Sequence, residues 1–126
     1  MNEVQTPTYP GNAMTLLIAD DNAAMRKAIR NVAARETDTV VECVNGNEAI
    51  DAFDRCHPDL VLMDIQMPVM DGIQATKKIL EHDPSAHVVV VTEFDNESFR
   101  SAATKAGAKA FVSKENLFEL STFIYH

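Results

Sequence analysis

The chain has 126 residues, 46% apolar and 24% charged, with a formal net charge of −8 at pH 7. That length suits one domain able to bury a real core. The acidic balance argues against nucleic acid as a direct partner, which would need a clustered basic surface, and no apolar stretch approaches the roughly 20 residues of a membrane span.

Residues 1–13 hold Thr6-Pro7, Tyr9-Pro10 and Gly11-Asn12 without periodicity, and are expected to form a flexible tail before a single domain over 14–126. Thr15 to Asp20 reads as the first strand. Met25, Ile29 and Val32 then recur at helical spacing, with Arg26, Lys27 and Arg30 on the outer face. Thr39 to Val44 alternates enough to be a strand near a sheet edge. Asn45-Gly46-Asn47 turns into a helix carrying Ala49, Ile50, Phe53 and Cys56, and His57-Pro58-Asp59 ends it.

Leu60 to Asp64 is the third strand. After a loop with Pro68, Asp71 is placed to cap a helix running toward Glu81, which Asp83-Pro84 breaks. Ala86 to Thr92 is the fourth strand. Asp95 or Asn96 caps the next helix, which ends near Gly107. Ala110 to Ser113 makes a short fifth strand. A last helix is expected from Glu115 to about Tyr125, with Leu117, Leu120 and Ile124 inward.

Cys43 and Cys56 are isolated and read as small core or boundary hydrophobes, consistent with a reducing compartment. The four histidines are scattered and receive no ligand role. The N-terminus lacks the basic-then-apolar pattern of a secretion signal, so a cytoplasmic location is expected.

Short unbroken apolar runs alternating with helical patterns imply an α/β fold, a doubly wound five-stranded parallel sheet covered on both faces. Ligands in such sheets bind beyond the carboxyl ends of the strands. That rule gathers Asp20, Asp21, Asp64, Thr92 and Lys114, each at the end of an apolar run. Two carboxylates about 4 Å apart repel by roughly 4 kcal/mol at an effective dielectric constant near 20. A divalent cation removes that penalty, and an all-oxygen donor set suits Mg²⁺ or Mn²⁺ rather than zinc. A carboxylate in such a site is able to attack a phosphoryl group, with Lys114 and the Thr92 hydroxyl meeting other phosphoryl oxygens.

Asp20-Asp21 followed by Met25-Arg26 and Ile29-Arg30 resembles the opening of a two-component response-regulator receiver domain. The stretch from Asp64 through Met67-Pro68 to Asp71-Gly72 resembles the segment around that family's phosphorylated aspartate, and Thr92 and Lys114 complete the set. The resemblance covers about Leu16 to Ile124. It implies a flavodoxin-like strand order 2-1-3-4-5 and phosphoryl transfer from a histidine kinase or phosphotransfer protein to Asp64. It further implies Mg²⁺ bound by Asp21, by Asp20 mainly through water, by Asp64 and by the Gln66 carbonyl. Lys114 then bridges the acids, Thr92 moves toward the phosphate and Phe111 is the switch aromatic. The output surface is Asp95 to Ala106 with Lys109 to Ile124, facing an unnamed protein target; homodimerisation is left open.

The sequence departs from the family pattern at Glu93, where a very small residue is usual, and at Glu115, where many members carry proline. Glu93 is expected to narrow access or repel the phosphodonor, and Phe94 to shield the acyl phosphate. Ser113-Lys114-Glu115 resembles receivers attached to helix-turn-helix transcription factors, so a stand-alone receiver and one that lost its output domain are both compatible.

Plainer roles compete for several of these residues: Asp20 and Asp21 as helix caps, Thr92 as strand filler, Lys114 as a surface lysine and the basic stripe as a solvated face. Two other functions compete as well. A phosphatase of the haloacid-dehalogenase kind requires an Asp-x-Asp on the first strand and a cap insertion, which this chain lacks. A receiver-like interaction module independent of phosphorylation is supported by Glu93 alone.

Overall fold

Every residue of Leu16–Ala19, Leu60–Met63 and Val88–Val91 is buried, because each of these strands lies between helices on both faces of the sheet. This computed structural model describes residues 13–124; the expected tail lies outside the described residues except for Ala13, as do Tyr125 and His126. The strands are β1 (Thr15–Ala19), β2 (Thr39–Cys43), β3 (Leu60–Met63), β4 (Val88–Thr92) and β5 (Ala110–Ser113). They form one sheet in the order β2-β1-β3-β4-β5, parallel throughout. The helices are α1 (Ala23–Ala33), α2 (Gly46–Cys56), α3 (Gly72–His82), α4 (Glu97–Ala106) and α5 (Leu120–Ile124).

Alternate strand residues serve opposite faces. Leu16, Ile18, Leu62, Val89 and Val91 pack with Ile29, Leu120 and Ile124 of α1 and α5. Leu17, Val61, Met63 and Val88 pack with Ala49 and Phe53 of α2 and Ala75 and Ile79 of α3. Ile65 and Val90 meet Ala103 of α4 in a smaller cluster. β2 is an edge strand with half-buried valines, as its alternation predicts.

Asparagine and aspartate open the first four helices. Asn22, Asn45, Asp71 and Asn96 each accept an N–H from three residues on, which satisfies an orphan donor of the first turn. Gly107 ends α4 at φ 103°, a left-handed conformation that glycine adopts without steric cost.

Two expectations need correction. The last helix is not continuous: a 3₁₀ segment over Lys114–Glu119 precedes α5, and Asn116 departs from helical geometry at φ −127°, ψ 47°. Asparagine competes for backbone partners outside the helix, and the Ser113 hydroxyl already accepts the Glu115 N–H at 3.2 Å, so the segment starts as a tight turn. Cys56 is exposed at the end of α2, whereas Cys43 is buried and its thiol is pushed up to about 11 by that burial.

Candidate functional site

Sheet register sets the site. Ala19 lies opposite Met63, so Asp20 and Asp64 follow in step from adjacent strands. The Asp64 N–H donates to the Ala19 carbonyl at 2.9 Å and the Asp20 N–H to the Cys43 carbonyl at 3.0 Å, holding both residues in the ladder beyond the strand ends. Thr92 lies opposite Ser113, which puts Lys114 one step farther along the same edge.

One carboxylate oxygen from each of Asp20, Asp21 and Asp64 lies within 4.8 Å of the other two. Asp20 and Asp64 are buried and Asp21 is exposed. The Lys114 ammonium sits 2.8 Å from Asp20 Oδ2 and 3.3 Å from Asp64 Oδ2. Together with Asn22, Gln66 and Glu93 these four residues line a cleft of about 380 Å³.

Burial first, and then the charge of Asp20, push the Asp64 carboxyl up to about 6, against the pull of Lys114. Burial alone would lower the Lys114 pKa, but hydrogen bonding to Asp20 and the charges of Asp64 and Asp20 outweigh it and hold the ammonium above its usual range. The remaining Asp64 oxygen accepts the Ile65 N–H at 2.8 Å. Asp20 Oδ1 accepts the Asn22 N–H at 2.9 Å. Asp20 Oδ2 is fully enclosed and, apart from the ion pair with Lys114, has no aligned hydrogen bond. A buried, incompletely satisfied carboxylate oxygen beside two more carboxylates is a donor set that fits a hard divalent ion such as Mg²⁺.

The cap of α1 is Asn22, which accepts the Met25 N–H; Asp20 and Asp21 are therefore free to face the cleft. Thr92 is fully buried and does not line the cleft; its Oγ1 accepts the Phe94 N–H at 3.2 Å. Phe111 is half-buried on β5, with the Arg100 guanidinium 4.6 Å from its ring centroid and Arg100 Nε donating to Asp95 at 2.7 Å.

Sequence reasoning missed Arg26, which reads there as part of a solvated stripe. Its Nη1 donates to the Asp20 carbonyl at 2.8 Å and its Nε to Glu42 at 2.7 Å, so it braces the loop that carries the acidic pair. Glu42, at an exposed position of an edge strand, was the available signal.

Residues 16–123 match the Response regulator receiver domain family. The chain belongs to that family. Among its relatives, the chemotaxis protein CheY of Halobacterium salinarum is 39% identical over 102 residues, covering 81% of this chain and 85% of that protein. The uncharacterized transcriptional regulatory protein YhcZ of Bacillus subtilis is 40% identical over 104 residues, but this chain spans only 49% of its length. A LuxR-family two-component response regulator from Aurantimonas superposes with a TM-score of 0.80 at 29% identity, covering 88% of this chain and 81% of that one. The CheX-CheY-BeF3-Mg complex from Borrelia burgdorferi gives a TM-score of 0.79 at 26% identity, covering 90% and 92%.

Receiver domains are signalling modules of two-component systems that interact with histidine kinases and downstream effectors, and aspartate phosphorylation is characteristic of them. The family binds Mg²⁺ at an acidic pocket. No helix among the described residues of this receiver is long and apolar enough to cross a membrane.

Proposed function

We propose that this receiver acts in the cytoplasm and accepts on Asp64 a phosphoryl group from the phosphohistidine of a histidine kinase or phosphotransfer protein. The carrying observation is the Asp64 carboxylate itself, enclosed at a strand end, 3.3 Å from the Lys114 ammonium and grouped with Asp20 and Asp21. An Asp64 oxygen forms the new P–O bond as the P–N bond to histidine breaks, and the departing imidazole nitrogen keeps the electron pair. Asp20, Asp21, Asp64 and the Gln66 carbonyl would hold Mg²⁺, which when bound supplies positive charge against the phosphoryl oxygens. Lys114 keeps its ammonium in the cleft and is placed to leave the carboxylates for those oxygens.

Thr92 is buried and outside the cleft lining, and a move of its hydroxyl toward a phosphoryl oxygen would vacate space for Phe111. Reorientation of that ring, released from Arg100, is the route by which the surface of α4, β5 and the following segment changes for a downstream protein. Moving a two-state element from 1:99 to 99:1 takes roughly 5.5 kcal/mol of differential stabilisation. Several charge-assisted hydrogen bonds to a phosphoryl group, at about 1.5–3 kcal/mol each, are of that order.

Incubation with phosphoramidate and Mg²⁺ followed by intact-mass measurement tests the reading. Wild type gains one phosphoryl group, and Asp64→Asn gains none. Uptake by Asp64→Asn equal to that of wild type would overturn the assignment.

A further inference from the structure

The Glu93 side chain has no polar partner among the described residues. It follows the buried end of β4, is exposed, and makes no ion pair or hydrogen bond among the described residues. Its backbone is held nonetheless, because the Thr92 Oγ1 accepts the N–H of Phe94 and closes a turn around residue 93. The side chain lines the same cleft as Asp20, Asp21, Asp64 and Lys114. Four carboxylates there face a single ammonium, and the other three carboxylates follow the ends of β1 and β3, whereas Glu93 follows the end of β4.

We propose that Glu93 is a specificity-determining residue that sorts phosphodonors by charge, disfavouring free dianionic acyl phosphates relative to the phosphohistidine of a protein. The inference rests on the phosphoacceptor reading above. Its physical basis is a field focused by a cleft with low-dielectric walls, which repels anions and attracts cations through the same carboxylate. A free acyl phosphate brings two negative charges into this field. A phosphohistidine brings the phosphoryl group on a protonatable imidazole within a protein surface that supplies its own cations, so the Glu93 charge opposes it less.

Two small donors of similar size separate charge from bulk. Acetyl phosphate is a dianion near neutral pH; its transfer forms the Asp64 O–P bond and breaks the bond to acetate, which leaves with the electron pair. Phosphoramidate is N-protonated and carries one net negative charge; its P–N bond breaks and ammonia leaves with the electron pair. Interaction energy scales with donor charge, so removing one carboxylate gives the dianion the square of the monoanion's rate factor. At low salt and with Mg²⁺ saturating for both proteins, Glu93→Gln, nearly isosteric, should speed phosphorylation about fivefold with acetyl phosphate and about 2.2-fold with phosphoramidate. Both factors should shrink toward one near 1 M salt, where the screening length is about 3 Å.

The same charge acts with opposite sign on Mg²⁺, so Glu93→Gln should weaken Mg²⁺ binding by a comparable factor of about five in calorimetric titration. Equal acetyl phosphate rates for Glu93→Gln and wild type would overturn the proposal. So would acceleration confined to Glu93→Ala, which would assign the effect to side-chain volume. If neither donor phosphorylates any variant, the phosphoacceptor reading fails instead. The Mg²⁺ titration then decides whether Glu93 sets the field, unchanged affinity in Glu93→Gln counting against it.

Discussion

Gly72 lies against the backbone of Asp64: a Cβ on Gly72 would fall 1.7 Å from the Asp64 carbonyl oxygen and 2.7 Å from its carbonyl carbon. The Gly72 N–H also donates to the Ile65 carbonyl at 2.7 Å, so the start of α3 is seated on the strand end that carries the candidate phosphoacceptor. The constraint is one of space, because a methyl group cannot enter without moving Asp64 or α3. Gly72→Ala should therefore cost about 3 kcal/mol of stability in urea unfolding and abolish phosphoryl uptake. A soluble Gly72→Ala protein with wild-type midpoint and uptake would show that this contact does not position Asp64.

Asp64 gives the metal-free protein a pH signature. Its carboxyl is raised to about 6 in the folded state, by burial and then by Asp20. Over roughly pH 4–6 the folded chain holds a proton that the unfolded chain releases, so stability falls as pH rises through that window. Above the window the charged carboxylate costs up to about 3 kcal/mol. In chelator at about pH 7.5, Asp64→Asn should be more stable than wild type by about 1–3 kcal/mol and should lose most of that pH slope. Saturating Mg²⁺ should stabilise wild type and leave the variant nearly unchanged. A wild type more stable than Asp64→Asn in chelator contradicts the assignment of the cost to burial.

Lys114 is the only cation facing Asp20 and Asp64 among the described residues lining the cleft. Its removal leaves two buried carboxylates without their counter-charge. Lys114→Ala should be destabilised by about 3 kcal/mol in the absence of metal. It should also bind Mg²⁺ roughly tenfold more tightly, since a competing positive charge is gone. Unfolding in chelator and calorimetry with Mg²⁺ measure the two effects. Weaker Mg²⁺ binding in the variant would mean that Lys114 organises the carboxylates rather than competing with the ion.

Val69 is at φ 70° and 77% exposed, in the loop between β3 and α3. A β-branched residue in the left-handed region costs roughly 1–2 kcal/mol, and so exposed a side chain recovers little by packing. Val69→Gly relieves that strain and loses about 0.5–1 kcal/mol to the greater freedom of the unfolded chain. The net expectation is a gain of about 0.5–1 kcal/mol, read as a higher urea midpoint. A lower midpoint would show that the Val69 side chain contributes more than its exposure suggests.

Much of this receiver was legible from residue pattern. Apolar runs such as Val88–Val91 admit few structures besides a strand covered on both faces, and Asp71 and Asn96 announce helix starts by side-chain chemistry that acts within one turn. The failures are as local in cause. Asn116 breaks a helix that the spacing of Leu117, Leu120 and Ile124 implies, because three apolar positions fix a buried face without fixing the backbone that presents it. Cys56 ends on the surface because the last turn of α2 outruns the core.

Residue pattern is enough to say which side-chain types stand at the strand ends, since alternation between buried strands and amphipathic helices is encoded locally and a parallel sheet collects those ends on one edge. The distances that give them chemistry arise from packing in three dimensions: Lys114 3.3 Å from Asp64, Arg26 on the Asp20 carbonyl, Gly72 against Asp64 and Arg100 above Phe111. These are contacts between segments far apart in the chain or on separate elements. Their geometry follows from sheet register and packing volume, which no short stretch of residues specifies alone.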